Sequence, residues 1–220
     1  MDIYHRLVAA LIVTGLLAGC GGSGTKPQVA EAPPRAQGWQ NVIRDSDRRR
    51  LAGLWSAWTR SLAQAETAGQ LQRVAALGDM AVPDAARPAP APRPGAYRCR
   101  TVRIGIRDSD AALRAVAGTA PVMLASGFLP CTIAARAGRL WFEQGIGLQR
   151  VAGTLYPDGD RQVFLGSMAL AGEAGFRSYG ADPDRDQVGV LRAFGDRRWR
   201  LELPWPMWQS NLAIIEIVSG

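Results

Sequence analysis

The chain has 220 residues, 47% of them hydrophobic and 20% charged, and this composition excludes wholesale disorder. Its 26 basic residues, of which Lys26 is the one lysine, exceed its 19 acidic residues and give a formal charge of +7. The single histidine, His5, lies in a segment that we expect to be removed. The mature protein would then lack histidine, which excludes Ser-His-Asp and Cys-His catalysis and histidine zinc sites.

Residues 1–20 have the pattern of a lipoprotein signal peptide. Arg6 precedes an apolar run from Leu7 to Leu17, which is shorter than the stretch of about 20 residues that spans a bilayer. The run leads into Leu17-Ala18-Gly19-Cys20, which resembles a lipobox and implies cleavage before Cys20 and acylation of that cysteine. The alternative is an ordinary signal peptide that happens to contain a cysteine.

The residues after Cys20 indicate where the folded part would be held. Gly21 follows in place of an aspartate that would indicate inner-membrane retention, so we expect the outer membrane, facing the periplasm. Residues 21–38 are rich in Gly, Ser, Pro and Ala and predict a flexible tether. The lipid bilayer is therefore an expected partner, bound through several acyl chains on Cys20.

Residues 39–80 predict a helical segment, which Asp45 or Ser46 can cap. Apolar residues then recur at three- and four-residue steps: Leu51, Leu54, Trp55, Trp58, Leu62 and Ala65. We expect this stripe to pack on the chain's own β-domain, the alternative being a surface for a partner or a membrane. Residues 81–94 contain five prolines and predict an extended linker.

Residues 95–220 predict a β-domain, because short runs of β-forming residues alternate with turn residues. The predicted strands are Tyr97–Ile106, Leu129–Ala135, Arg139–Gly145, Gln149–Tyr156, Gln162–Ala171, Gln187–Phe194, Arg198–Leu203 and Ala213–Val218. In the clearest alternation Trp199, Leu201 and Leu203 share one face and the charged residues between them share the other, which predicts an antiparallel sheet with a wet face. The fold class is mainly β with an N-terminal α segment, and about eight strands favour a small up-and-down barrel over a two-sheet sandwich. Residues 107–127 fit either a strand or a covering loop.

Cys99 and Cys131 remain as a pair once Cys20 is assigned to the lipid. Disulfides persist in an oxidising compartment, so we expect these two residues to form one. The bond would tie the first strand of the barrel to the strand that begins near Leu129. The alternative is a redox or metal pair, although CxxC spacing is absent.

Two clusters are candidate binding sites. Asp182, Asp184 and Asp186 have the D-x-D-x-D spacing that opens a calcium-binding loop, but Gln187 stands where that loop requires glycine. The cluster is therefore either a calcium site of another geometry or a capped turn. Three tryptophans close to the C-terminus either line a pocket for an apolar ligand or plug one end of the barrel: Trp199, Trp205 and Trp208.

Other chemistry finds little support in the sequence. We expect no cofactor and no catalytic residue, since the chain has neither a Gly-rich phosphate loop nor a base that could activate a serine. Nucleic acid is not an expected partner, because the arginines are interleaved with acids and the compartment is extracytoplasmic. A hydrolase based on two carboxylates stays open as an alternative.

Five motifs stand out in the mature chain: GxYRCR at 95–100, QRxxGTLYP at 149–157, FLG at 164–166, DRDxVGVL at 184–191 and WRLxLPWP at 199–206. Together they resemble a family of bacterial secreted proteins and lipoproteins with no assigned function. The resemblance implies no catalytic residues. The barrel half is similar in layout, not in motif, to lipocalin-like envelope proteins and small barrel inhibitors of metalloproteases, which implies a fold and no activity.

These observations predict a non-catalytic lipoprotein whose barrel binds a small apolar ligand or an envelope partner. The alternative is a protein-binding module that resembles a protease inhibitor and makes its contact through the helical segment or the tether.

Overall fold

A computed structural model describes residues 38–107, 122–207 and 210–219. The helices in these residues are a 3-10 turn at Trp39–Asn41, α1 (Asp45–Ala52), α2 (Leu54–Thr67), α3 (Leu71–Ala75) and a second 3-10 turn at Gly78–Ala81. The strands are β1 (Gly95–Ile104), β2 (Met123–Ala125), β3 (Leu129–Arg136), β4 (Arg139–Gln144), β5 (Gln149–Asp158), β6 (Arg161–Leu170), β7 (Asp186–Gly195), β8 (Arg198–Pro204) and β9 (Leu212–Ser219). None of the helices in this part of the chain is both long and apolar enough to span a membrane.

The strands form a closed antiparallel barrel. Strands β3 to β9 are neighbours in sequence order, and β9 returns to pair with β1 from Tyr97↔Ser219 to Ile104↔Leu212. The first half of β1 also pairs with β3, which closes a ring of eight strands. The ninth, β2, is added outside the ring along the second half of β1. The predicted up-and-down barrel is confirmed, and the sandwich alternative is wrong because β1 and β9 close the sheet.

The segment whose fold the sequence left undecided contains β2. Its three residues pair in antiparallel register with β1, from Val102↔Ala125 to Ile104↔Met123. Residues 108–121 lie outside the described part of the chain.

Apolar side chains fill the barrel toward the end where β1 begins. The rings of Tyr97 and Trp199 meet edge to face with centroids 5.9 Å apart, and those of Phe142 and Phe164 do so at 6.3 Å. Cys99 and Cys131 are buried in the same cluster. We refer to this end of the barrel as the closed end.

Strands β5 and β6 approach each other too closely for side chains at one position. Gly153 and Gly166 are directly opposite each other in the register. A Cβ atom on Gly166 would lie 2.2 Å from the carbonyl oxygen of Ala152, and one on Gly153 would lie 2.4 Å from the Cα of Gly166. Glycine is therefore required at both positions, which belong to two of the sequence motifs.

The helical segment covers one side of the outer wall of the barrel. Leu54, Ala57 and Trp58 of α2 share an apolar cluster with outward residues of the strands, among them Val102 and Ile104 of β1. The predicted stripe thus packs on the β-domain, although Trp55 remains 63% exposed.

The charged face of β8 is buried, which corrects the expectation of a wet face. Arg200 and Glu202 are 0% and 1% exposed. Trp58 lies over them, with its Nε1 3.4 Å from Glu202 and its ring 5.2 Å from the guanidinium of Arg200. Alternation in the sequence identified the two faces correctly, but it carried no information about the helix that covers the charged one.

The segment that the sequence predicts as a linker is held against the barrel. The guanidinium of Arg200 donates hydrogen bonds to four backbone carbonyls, those of Asp79, Met80, Val82 and Pro83. Further along, Arg87 forms a backbone bridge with Ala193, and the indole of Trp199 donates to the carbonyl of Pro90 at 3.3 Å.

Candidate ligand-binding site

The end of the barrel opposite Trp199 opens into a cleft of about 370 Å³. The cleft lies between β1, the β2–β3 segment and the turn from β4 to β5. A narrow hollow of about 30 Å³ continues it into the barrel. We call the cleft and the hollow together the mouth; both are lined by Thr101, Arg103, Gln144 and Gln149.

Arg103 places a guanidinium in the mouth. Inward residues of β1 alternate, so Arg103 lies on the same face as Cys99 and Thr101. Its Nη2 donates a hydrogen bond to Oε1 of Gln149. Among the described residues no carboxylate forms an ion pair with it, and burial lowers the pKa of this guanidinium below its ordinary value. Arg103 therefore presents N–H donors that the described side chains do not satisfy.

Gln187 contributes a second unsatisfied donor. Its side chain lines the inner hollow together with Arg103, and the residue is 2% exposed. Its Nε2 has no hydrogen-bond partner in the described part of the chain. A buried amide without a partner costs about 1–3 kcal/mol.

The acceptors beside these donors are already occupied. Oε1 of Gln144 accepts a hydrogen bond from the backbone N–H of Val151 at 3.0 Å, and its Nε2 donates to Oγ1 of Thr101 at 3.1 Å. Oε1 of Gln149 accepts from Arg103. The N–H groups of Arg103 and Nε2 of Gln187 that lack a partner are donors, so they match an acceptor on the ligand, and the charge of Arg103 favours an acceptor that is negative.

Exposed apolar side chains surround the outer cleft. Leu124 is 48% exposed, Ile146 55% and Leu148 81%, and all three line the cleft. Side chains of this size are seldom left so open on a protein surface without a reason when they lie together. The mouth thus combines an apolar rim with a cationic, donor-rich interior.

Comparison with known proteins identifies the family of this chain. A search against family models matches residues 39–217 to the Domain of unknown function (DUF4893). The chain belongs to this family. Searches of the curated proteins and of the solved structures found no match. The family assignment confirms the predicted resemblance to a family of unknown function, and it identifies no site residues.

The structure places two of the three predicted tryptophans, Trp199 and Trp205, in different parts of the fold. Trp199 packs against the apolar interior at the closed end, whereas Trp205 packs in the cluster beneath the helices. The indole of Trp205 donates to the carbonyl of Gly53 at 3.2 Å. Trp208 lies outside the described residues. Trp199 and Trp205 thus pack against different clusters.

The aspartate cluster of the DRDxVGVL motif does not converge on one point. Asp182 accepts from Arg177 at 2.7 Å and from the amide of Asp184 at 3.2 Å. Asp186 turns the other way, is 1% exposed and accepts from the amide of Gly180 at 2.8 Å. Within the described ranges no group of three or more acidic, Cys or His residues could hold a metal ion. These contacts are those of a capped turn, the alternative that the sequence left open.

Two carboxylates, those of Asp47 and Asp186, lie near the hydroxyl of Tyr179. Its hydroxyl donates to Oδ2 of Asp47 at 2.7 Å and accepts from the backbone N–H of Arg44 at 3.0 Å. Burial is the main cause that raises the pKa of Tyr179 and also that of Asp186. This cluster ties the start of α1 to the β6–β7 connection, with Asp47 and Asp186 both buried.

The predicted disulfide is confirmed. Cys99 and Cys131 are bonded, with their Cα atoms 5.9 Å apart, and they join β1 to β3. Cys20, the predicted lipid site, lies outside the described residues.

The sequence contained one signal for the mouth that was missed. Arg103 is in phase with Cys99, four residues earlier, and a disulfide cysteine marks the inward face of the strand. An arginine on that face is rarely buried without a purpose. The glutamines carried no comparable signal, since their positions depend on how β4, β5 and β7 meet at the open end.

Proposed function

We propose that this protein is a non-catalytic binding protein of the bacterial envelope. In this proposal Cys20 carries the lipid anchor and the barrel takes up a small amphipathic acid, a molecule with one anionic group and an apolar chain. The observation that supports it best is the guanidinium of Arg103, which faces into the mouth without a carboxylate partner among the described residues.

The proposed orientation follows from the distribution of polarity in the mouth. The anionic group lies at the inner hollow, where it accepts hydrogen bonds from Arg103 and Gln187. Hydrogen bonds that involve a charged group are stronger than neutral ones, and removal of their partner is correspondingly costly. The apolar chain lies in the outer cleft against Leu124, Ile146 and Leu148. Pockets of this kind, mostly apolar with a few polar groups, are typical of small-molecule sites.

Fluorescence titration with 11-(dansylamino)undecanoic acid tests this function. The protein is the mature chain from residue 20 with Cys20→Ser, which removes the acylation site. We expect Arg103→Gln to weaken binding by about 10- to 100-fold, the value of a charge-assisted hydrogen bond. The control is Arg73→Gln, which removes the same charge from an exposed position on α3.

Two outcomes would contradict the proposal. One is equal affinity of wild type and Arg103→Gln for the acid. The other is equal affinity of wild type for the acid and for its methyl ester, which lacks the charge. A third variant, Trp55→Ala, tests the outer groove of about 460 Å³ between the helices and β7. If Trp55→Ala weakens binding and Arg103→Gln does not, the probe binds in that groove and the site in the mouth is also overturned.

The anchor is tested separately in cells. We expect the wild-type chain to incorporate labelled fatty acid and to fractionate with outer membranes, whereas the Cys20→Ser variant does neither. Labelling of the variant at the wild-type level would exclude Cys20 as the lipid site.

A further inference from the structure

The outward side of β1 is covered by the helices in its second half and is open to solvent in its first half. Val102 and Ile104 in its second half are buried under the helices. In the first half Arg98 is exposed, and Arg100 borders an open hollow of about 480 Å³ on the barrel wall. Four of the nine residues around this hollow are arginine, and we call it the basic hollow; it is lined by Arg98, Arg100, Phe128, Asp196, Arg197, Arg198, Glu216, Val218 and Ser219.

A buried carboxylate fixes two of the arginines. Glu216 is 1% exposed, and its two oxygens accept hydrogen bonds from Nε of Arg100 and from Nη2 of Arg198. Each guanidinium uses one N–H group on Glu216 in these bonds, so the others are directed elsewhere. Glu216 therefore holds the guanidinium groups of Arg100 and Arg198 in place beside the hollow.

Aromatic rings fix the guanidinium planes as well. Phe128 lies beneath two of them, with its ring centroid 5.4 Å from Cζ of Arg98 and 5.0 Å from Cζ of Arg100. The ring of Phe194 lies 4.6 Å from Cζ of Arg198. Side chains that are already ordered lose less conformational entropy when they bind, which favours a ligand at this place.

The basic hollow keeps an excess of positive charge. Four arginines line it, and the acids that line it are Asp196 and Glu216. In the described part of the chain the guanidinium of Arg98 forms neither a hydrogen bond nor an ion pair, and it lies over the ring of Phe128. Guanidinium groups match the geometry of phosphate oxygens, with which they form paired hydrogen bonds.

We propose that the basic hollow binds the phosphate of an anionic lipid headgroup and so docks this wall of the barrel on an anionic bilayer. Three observations support a lipid as the source of the phosphate. The hollow is open and lies on the barrel wall, Phe128 beside it is 40% exposed, and the charge beside it is positive. Basic residues with an exposed aromatic ring are typical of surfaces that bind anionic membranes. The inference uses no residue of the mouth and is independent of the proposed function.

Co-sedimentation with vesicles tests the docking. We compare phosphatidylcholine vesicles with vesicles that contain about one third phosphatidylglycerol, using the mature chain with Cys20→Ser. We expect binding to the anionic vesicles at low salt, weakened about 10-fold or more by Arg98→Gln/Arg198→Gln. The matched control is Arg49→Gln/Arg73→Gln, which removes two exposed arginines from the helical segment and should leave binding nearly unchanged.

Arg98→Gln alone is the safer variant for folding, because Arg198 also holds Glu216. Equal weakening by the control pair, or no binding to anionic vesicles, overturns the proposal. Saturable binding of inorganic phosphate at the arginine Nε–H resonances without vesicle binding overturns the lipid as its source. Arg103→Gln should bind vesicles like wild type, and Arg98→Gln should bind the dansylated acid like wild type, so the two proposals fail separately.

Discussion

Nε of Arg200 donates a hydrogen bond to Oε1 of Glu202 at 2.6 Å, and both side chains are excluded from solvent on the outer wall of the barrel. The two residues are neighbours on one face of β8, so the strand itself sets their geometry. The remaining N–H groups of Arg200 bind backbone carbonyls of the segment that follows the helices. One buried ion pair thus connects the barrel, α2 and the proline-rich segment.

Breaking this pair should be far more costly than replacing it. We expect Glu202→Ala to lower the free energy of unfolding by about 3–5 kcal/mol, because it leaves the buried guanidinium of Arg200 without a counter-charge. The double variant Arg200→Met/Glu202→Leu should lose much less, because it removes both charges together. Urea unfolding followed by circular dichroism measures both. A double variant as unstable as the single one would show that the carbonyl contacts, and not the ion pair, dominate.

Loss of the disulfide should destabilise the barrel without changing its fold. The bond closes a loop across a sequence separation of 32 residues, which corresponds to roughly 3–4 kcal/mol in the chain-entropy treatment. We expect Cys99→Ala/Cys131→Ala to lower the free energy of unfolding by that amount, as measured by urea unfolding. Alkylation of the native protein without reductant provides the check, since modification of both cysteines would mean that the bond is absent.

The strands were predictable because the alternation of residue types within each segment indicates them. The disulfide was predictable because only two cysteines remained to be paired. Alternation marks the faces of β8 and β9, and two cysteines that remain in a chain predicted to be exported have one way to pair. The burial of Arg200, Glu202 and Glu216 was not predictable, since charged residues in a strand usually mark the wet face. Their burial depends on which other segments cover them.

The separation of Trp199 from Trp205 could not be predicted for a similar reason. An aromatic residue in the sequence indicates burial but not the cluster to which it belongs. Trp199 is in phase with Leu201 and enters the barrel, whereas Trp205 follows Pro204 with φ of +49° and turns toward Gly53. The actual mouth depends on polar residues from four strands, and their convergence is a property of barrel closure.

Stability should depend on pH through Asp186. Burial raises the pKa of this carboxyl above its ordinary value of 3.8, and the groups facing it are the amide of Gly180 and the side chains of Asp47, Arg44 and Arg50. The folded protein then holds the proton more tightly than the unfolded chain, so the free energy of unfolding falls as pH rises from about 3.8 through the raised pKa. Asp186→Asn should remove this part of the slope.

Urea unfolding at a series of pH values from about 4 to 7 measures that slope. Asp84→Asn, at an exposed position, is the matched control and should leave the slope as in wild type. A slope that survives in Asp186→Asn would assign the pH dependence to another group.

Gly166→Ala should destabilise the protein because its Cβ atom would meet the backbone of β5 at 2.2 Å. We expect a loss of about 1–3 kcal/mol or more, since neither strand can move away without disturbing the barrel. Gly127→Ala is the control, because nothing lies within 4 Å of a Cβ atom there. Thermal unfolding compares the two, and similar melting temperatures for both variants would contradict the close approach.

The pairing of β1 with β9 has a consequence for biosynthesis. Strand β9 pairs with β1 from Tyr97↔Ser219 to Ile104↔Leu212, so the ring lacks its final wall until β9 has left the ribosome. Contacts between such distant parts of a chain form slowly. Until β9 is available, we expect the nascent barrel to remain open along β1, with apolar residues of its interior exposed.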